Sequence, residues 1–334
     1  MALFETITFG VYFGSRFSLG KQLQLLAIAS SIIIVTSFLY SVALPGSAIE
    51  TGGHAGDWRG PFIQKNEFAK IIVLCCISTY LYKSKSALWN VTRLAIVSLS
   101  GLMIVLSDSK TALLVVSLLF LSVYAYRGLY SLIRNRSALL IPSVSLFLVT
   151  LLGSSLLLVS NLGNIANSAG KDLTLTGRTT IWSAVSYKIA ERPLLGYGYL
   201  GFWRDIYGGS AYVGKVFNNI YLPKDAHNGF LELALAFGFV GVALFGLSFL
   251  HTLLRAAALP MPVGVQTAYW PLVYLTFLIL YNQTEATLIL HNSIFFVLLV
   301  ALTLSDYHQF KKTQSEKLQV KEMQFEEMQL EPIP

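Results

Sequence analysis

KDLTLTGRTTIWSAVSYKIAERPLLGYGYLGFWRDIYGGSAYVGKVFNNIYLPKDAHNG, Lys171 to Gly229, is the only long stretch of this chain that is not hydrophobic. The rest is mostly apolar blocks too long for ordinary core helices, and apolar runs of about 20 residues cross a bilayer as helices. The 334 residues are 54% hydrophobic and 12% charged, with a mean hydropathy of +0.62. A soluble domain carries about twice that charge. The reading is therefore an all-α polytopic membrane protein of about eight transmembrane helices, with one large extracytoplasmic loop containing short helices.

Working outward from the loop, spans are expected at Leu23–Leu44, Phe68–Tyr82, Leu94–Leu106, Thr111–Tyr126 and Ala138–Val159 before it, and at Gly229–Leu254, Ala268–Tyr281 and Leu288–Leu304 after it. Residues 1–20 are mixed and mildly amphipathic, which suits an interfacial helix. The chain then divides into an N-terminal transmembrane bundle (1–160), the large loop (161–228), C-terminal transmembrane helices (229–305) and a charged, Gln/Glu-rich tail (306–334). No internal repeat is evident. Cys75 and Cys76 lie inside an apolar run, as core residues rather than a disulfide or metal pair. The start, MALFETITFG, lacks the basic end, apolar core and small-residue cleavage site of a secretory signal.

The net charge of +7 would suggest nucleic acid in a soluble protein. Here the positive-inside rule accounts for it, and no nucleic-acid partner is expected. Arg16, Lys21, Lys83, Lys85, Arg93, Arg127, Arg134, Arg136, Arg255 and four tail lysines all sort to one side, the cytoplasmic one, together with both termini. The loop then emerges outside, with DWRGPFIQKN, SDSK and NQTEA. Arg59, Lys65 and Lys110 oppose the rule. Each can bind an anionic ligand; each can equally pair with Asp57, Glu67 or Asp108, or with lipid headgroups.

Three features of the loop bear on chemistry. Ile181, Val185 and Ile189 form a helical stripe that Pro193 stops, with Thr176 or Thr179 as its cap. That places Gly177 and Arg178 at a helix N-terminus, which favours an anion, and the arginine fork suits two phosphate oxygens. An arginine there also suits the plainer task of capping a surface loop. Gly196 to Gly201, GYGYLG, matches G-x-G-x-x-G by letters, but the dinucleotide fingerprint needs a strand before it and a helix after it. Its glycines instead allow a tight turn that lays Tyr197, Tyr199, Phe202 and Trp203 at the interface. His227 and Asn228 directly precede a span, where a neutral histidine can take a proton from a hydroxyl near pH 7; a satisfied structural histidine is the alternative. His291, Asn292 and Glu285 form an outer group that supports the first. No metal-ligand spacing and no G-x-S-x-G occur.

WRGPFIQKN, LSDSKTALL, LTGRTTIW, RPLLGYGYLGFW, AHNGFLELALAFGFVGVALF and NQTEATLILHNSIFFVLL, in this order from about residue 50 to 300, resemble the O-antigen ligase and polymerase superfamily, and within it the exopolysaccharide polymerase-like members. The resemblance implies a GT-C-like bundle in the bacterial inner membrane with the large loop periplasmic. It implies a glycosyltransferase that polymerises or ligates polyprenyl-diphosphate-linked glycan units at the outer face, without metal or nucleotide cofactor. The donor would be a polyprenyl-diphosphate-linked oligosaccharide, the acceptor a glycan or lipid-linked glycan, and further partners membrane lipids and a polysaccharide export machinery. Arg178 and His227 stand where the family has its essential loop arginine and histidine. Lys110, Arg59 and Lys65 would join Arg178 in binding diphosphate, with Asn228, Glu285, His291 and Asn292 around them. Ligases often carry arginine where this chain has Lys110, and members commonly have more spans. The rival readings are a glycolipid flippase, whose class tends to show repeats and broken helices, and a non-catalytic partner of an export complex.

Overall fold

The computed structural model describes residues 1–132, 173–204, 207–216, 223–257 and 269–305. All its regular elements are helices; the only β-type pairing among the described residues is an isolated bridge between Ile49 and Trp58. The helices of the bundle are α1 (Ala2–Arg16), α2 (Leu19–Ala43), α4 (Lys65–Leu81), α5 (Ala87–Leu106), α6 (Lys110–Leu132), α10 (Gly229–Ala257), α11 (Trp270–Asn282) and α12 (Ile294–Leu304). Short α3 (Pro45–Ala48) follows α2, and the loop contributes α7 (Leu173–Glu191), α8 (Gly201–Arg204) and α9 (Gly209–Val216). Among the described residues, four helices are long and apolar enough to cross a membrane, namely α2, α5, α6 through Gly128, and α10; α11 and α12 are shorter apolar helices. The expected span Ala138–Val159 and the 306–334 tail lie outside the described residues.

Packing fixes the direction of each helix. α11 is buried along its whole length and packs against α4, α6 and α10. Ser30 of α2 bonds Ser78 of α4 (2.9 Å), and Lys65 N at the start of α4 donates to Glu50 Oε1 beyond the end of α2 (2.6 Å), so these two run antiparallel. Arg255 at the end of α10 donates to Thr303 O (3.0 Å) and Ser305 O (2.8 Å) at the end of α12, and Gln22 donates to Ser305 Oγ (2.9 Å). One end of the bundle therefore gathers the N-termini of α4, α6, α10 and α12 with the C-termini of α2, α5 and α11. Arg16, Lys21, Lys83, Lys85 and Arg255 all lie at the other end.

α1 departs from the sequence reading. It does not lie across the bundle but packs lengthwise on α12, through a face of Thr6, Gly10 and Gly14. Thr6 Oγ1 accepts from Asn292 N (2.9 Å), while a Cβ on Gly14 would sit 2.4 Å from Ala301 O. The two helices are thus parallel, and small residues four apart permit the close approach. Met1 and Ser305 consequently lie at opposite ends of the bundle, where the sequence reading put both termini at one end.

α10 is broken. Gly238 has φ 63° and ψ −167° inside it, which leaves carbonyls before the break and N–H groups after it without helical partners. The segment after Pro193 supplies them. Tyr197 N donates to Leu235 O (2.8 Å) and Gly198 N to Ala236 O (2.9 Å), while Phe239 N donates to Pro193 O (2.7 Å) and Val240 N to Leu194 O (3.2 Å). The approach needs bare backbone on both sides. A Cβ on Gly196 would meet Leu235 O at 2.5 Å, and one on Gly238 would meet Leu194 O at 2.2 Å. Gly196 of GYGYLG therefore serves a backbone junction with the broken helix, in addition to the tight turn.

This junction gives a graded expectation. Gly196 and Gly198 both have positive φ, but a Cβ on Gly198 meets nothing within 4 Å. Gly198→Ala should cost only the left-handed penalty of about 1–2 kcal/mol. Gly196→Ala adds the clash and should lower the melting temperature in detergent by clearly more. Equal shifts for the two variants would show that the junction is not closely packed.

Candidate functional site

The end of the bundle that carries the N-termini of α10 and α12 also receives α7, and four of the expected residues meet there. α7 begins at Leu173, earlier than its sequence reading, because a glycine inside a helix costs only about 1 kcal/mol relative to alanine. Arg178 is accordingly in the second turn rather than at the N-terminus, and acts through its side chain. Its Nη2 pairs with Glu285 Oε1 at 3.3 Å, with the side chains only 11% and 13% exposed. Its other donors make no hydrogen bond among the described residues.

Glu285 belongs to a turn anchored from below. Asn282 is fully buried; its Oδ1 accepts from Thr287 N (2.7 Å) and its Nδ2 donates to Leu278 O (2.7 Å). Gly229, the first residue of α10, packs so closely there that a Cβ would lie 2.2 Å from Asn282 Oδ1. Asn228 is the helix cap: its Oδ1 accepts from Phe230 N (3.0 Å) and Leu231 N (3.1 Å), and its Nδ2 donates to Gln283 O (3.2 Å). This one side chain satisfies two of the orphan donors of α10 and ties the helix start to the Glu285 turn.

His227 precedes the cap in a left-handed conformation, φ 47°. Its backbone N donates to Asp225 Oδ1 (2.8 Å), and the same oxygen lies 3.4 Å from Nδ1. A carboxylate on that side of the ring leaves Nε2 as the atom available to a ligand. Trp182, one turn beyond Arg178 on α7, donates from Nε1 to Ala226 O (2.8 Å). Neighbouring side chains of one helix thus hold both the Glu285 turn and the segment carrying His227. Sequence reasoning passed over Asp225 and Trp182. The available signals were an acid two residues before the histidine and an aromatic residue four after the arginine.

His291 and Asn292 serve the frame. Tyr199 Oη lies 2.8 Å from His291 Nδ1 and accepts from His291 N at 3.0 Å. Burial raises the Tyr199 phenol above its ordinary range, so it enters these bonds protonated. Asn292, at φ 54°, gives its backbone N–H to Thr6, as described above.

Arg59, Lys65 and Lys110 form a second group at the same end. Trp58 N donates to Leu106 O (2.9 Å), and Ser109 Oγ to Asn66 Oδ1 (3.1 Å), which seats the 58–66 segment on the α5–α6 turn. Lys65 Nζ lies 2.6 Å from Asp57 Oδ2, so the ion-pair alternative holds for this residue. Arg59 Nη1 donates to Ile63 O (3.2 Å), while its Nε is buried with no partner among the described residues. Lys110 is exposed at the first position of α6. Among the described residues no three His, Cys, Asp or Glu side chains are grouped to hold a metal ion; Asp172 and Asp205 lie outside them.

Comparison with known proteins gives two findings. The family model described as O-antigen ligase matches residues 95–246, a range that contains Lys110, Arg178, His227 and Asn228. The exopolysaccharide production protein ExoQ of Rhizobium meliloti (strain 1021) is 32% identical over 84 residues, which cover 24% of this chain and 19% of that protein. The match therefore spans about a fifth of that relative's length.

The cap yields a quantitative expectation. Asn228→Ala should destabilise the protein by about 1 kcal/mol, whereas Asn228→Asp, which keeps the accepting oxygen, should stay close to wild type. Thermal unfolding in detergent distinguishes them. An Asp variant as destabilised as Ala would move the weight to the bond from Nδ2 to Gln283.

Proposed function

We propose that this chain is a membrane glycosyltransferase of polysaccharide biosynthesis, which transfers polyprenyl-diphosphate-linked glycan units at the outer face of the bacterial inner membrane. The observation that carries this reading is that Arg178 pairs with Glu285 while Asn228, the residue after His227, bonds Gln283 O of the same turn, with Arg178 and His227 each beside its own carboxylate. Glu285 fixes the plane of the guanidinium, and the remaining donors of Arg178 suit the oxygens of a diphosphate. Negative charge collects on that diphosphate as the sugar–phosphate bond breaks, and a fixed cation stabilises it. His227, with Asp225 at Nδ1, would take the acceptor hydroxyl proton on Nε2. Lys110 and Arg59 extend positive charge along the same end of the bundle. Lys65 would reach the donor only by leaving Asp57.

Segregation of Lys83, Lys85 and Arg255 to the far end supports placing the site end outside. The O-antigen ligase match and the ExoQ relative support the glycan chemistry. Polymerisation is favoured over ligation by Lys110 and its Ser-x-Ser-Lys-Thr context, and by the exopolysaccharide in the relative's name. The broken α10 is a feature the flippase alternative would share. Here, however, four of the freed backbone groups are occupied by the chain's own loop, which leaves them unavailable to a passing substrate.

Separate defects are expected for the two central residues, measured as turnover of a carrier-linked donor. Arg178→Lys keeps the charge and loses the fork, and should slow transfer by about tenfold or more. His227→Ala should lower turnover about 10²–10⁴-fold with donor binding retained. Near wild-type turnover in well-expressed forms of both would favour the non-catalytic partner reading. In cells, deletion should leave single carrier-linked repeat units; intact polymer stranded on its carrier would mean ligation.

Transfer should also survive excess chelator, since no metal-ligand group is proposed to take part. Loss of activity that a divalent ion restores would require a metal site beyond the residues named here.

A further inference from the structure

We propose that Glu232 is the positioning residue for His227: it holds the peptide before the histidine and thereby fixes where the imidazole stands. Its role depends on geometry rather than on contact with substrate. The proposal rests on the reading of His227 as the base, but its test does not.

His227 holds a left-handed backbone conformation, φ 47°. A positive φ at a non-glycine residue is uncommon and persists only where the surroundings over-determine it. After His227, the Asn228 cap fixes the chain. Before it, the peptide of Ala226 is held through both of its polar groups. Trp182 donates to the carbonyl at 2.8 Å, and the Ala226 N–H donates to Glu232 Oε1 at 2.6 Å. Ala226 itself is fully buried, so neither group can turn to water instead. Glu232 reaches back from the first turn of α10, where a carboxylate also suits the helix dipole.

The same oxygen accepts a second bond, from Trp203 Nε1 at 2.7 Å. Trp203 lies on α8 and packs edge-on against Phe202, which meets Tyr197 in the same way. Tyr197 in turn bonds Leu235 O at the break in α10 (2.8 Å). One carboxylate oxygen therefore joins the histidine segment to the aromatic loop that closes the helix break. The carboxylate of Glu232 reaches a backbone group and an indole, and the imidazole stands one residue further on. A displacement of about 1 Å at a reacting group can cost about 10²-fold in rate.

The test uses the full chain in lipid nanodiscs with 15N-labelled histidine. Five histidines give the signals, and loss of one in H227N assigns His227. The imidazole titration is followed in wild type, E232A, E232D and E232Q. Gln keeps an accepting oxygen at the same reach, whereas Asp keeps the carboxyl and withdraws it by one methylene. E232Q should therefore keep a single, unsplit His227 signal, whatever shift in midpoint the loss of a titrating neighbour produces. E232D and E232A should split His227 into several signals or move its midpoint, leaving the other four histidines unchanged. If E232A fails to fold, the Asp and Gln pair decides. A single His227 signal with the wild-type midpoint in E232D overturns the proposal, and so does an unsplit signal in E232D beside a split one in E232Q. Where transfer is measured, E232D should lower kcat about 10²-fold, with KM for the donor little changed. Full activity of H227A, together with a disturbed His227 ring in the separate E232D protein, would remove the catalytic reading and leave the positioning role standing.

Discussion

The four backbone hydrogen bonds between the 193–198 segment and the break at Gly238 are the constraint on which the rest of the structure depends. A helix interrupted near a bilayer exposes carbonyls on one side and N–H groups on the other, and hydrocarbon offers them no partner. The break is tolerable only because the loop is docked in it, and the loop stays docked because the helix is broken there. Glycine is needed at both members of the contact, since each backbone comes within about a side-chain radius of the other. From this junction α7 is directed back over the bundle, and Arg178 and Trp182 follow from where α7 lies.

The site shows a second regularity. Several of its candidate charged groups have a carboxylate neighbour: Arg178 with Glu285, His227 with Asp225, Lys65 with Asp57. Such pairs hold side chains in place, but the desolvation cost of a buried pair offsets much of its attraction. On the proposed reading, a diphosphate would not have to overcome the full Coulomb energy of the Arg178–Glu285 pair and would bind the donors that Glu285 does not use. Lys110 differs in being exposed, which suits a residue that meets a ligand from solvent.

The frame around the site is built by small polar contacts at helix ends. Asn228 caps α10, Asn282 anchors the following turn, Tyr199 fastens the aromatic loop to His291, and Thr6 fastens α1 to Asn292. Each satisfies a backbone or ring group that would otherwise be left open where water is scarce. The Gly10–Gly14 face of α1 does the same work by van der Waals contact, which is what remains to drive helix association where lipid is as apolar as leucine.

The sequence by itself determined the helical membrane class, because runs of apolar residues at bilayer length have few other stable outcomes. It also located α2, α4, α10 and α11 to within about four residues at each end, while α5 begins seven residues before its expected start and α6 runs six past its expected end. It marked Arg178, His227 and Asn228, since chemistry-bearing residues stand out in so apolar a chain. Tertiary structure decided what periodicity cannot carry. The start of α7 and the direction of α1 depend on what each helix packs against. The reason for Gly196 and Gly238 lies in a contact between segments about forty residues apart in the chain. Glu285 was marked by the sequence, but its pairing with Arg178, and the contacts of Asp225 and Trp182 with the His227 segment, came only from the folded chain, because an ion pair or hydrogen bond is a property of distance in space and leaves no mark in spacing along the sequence.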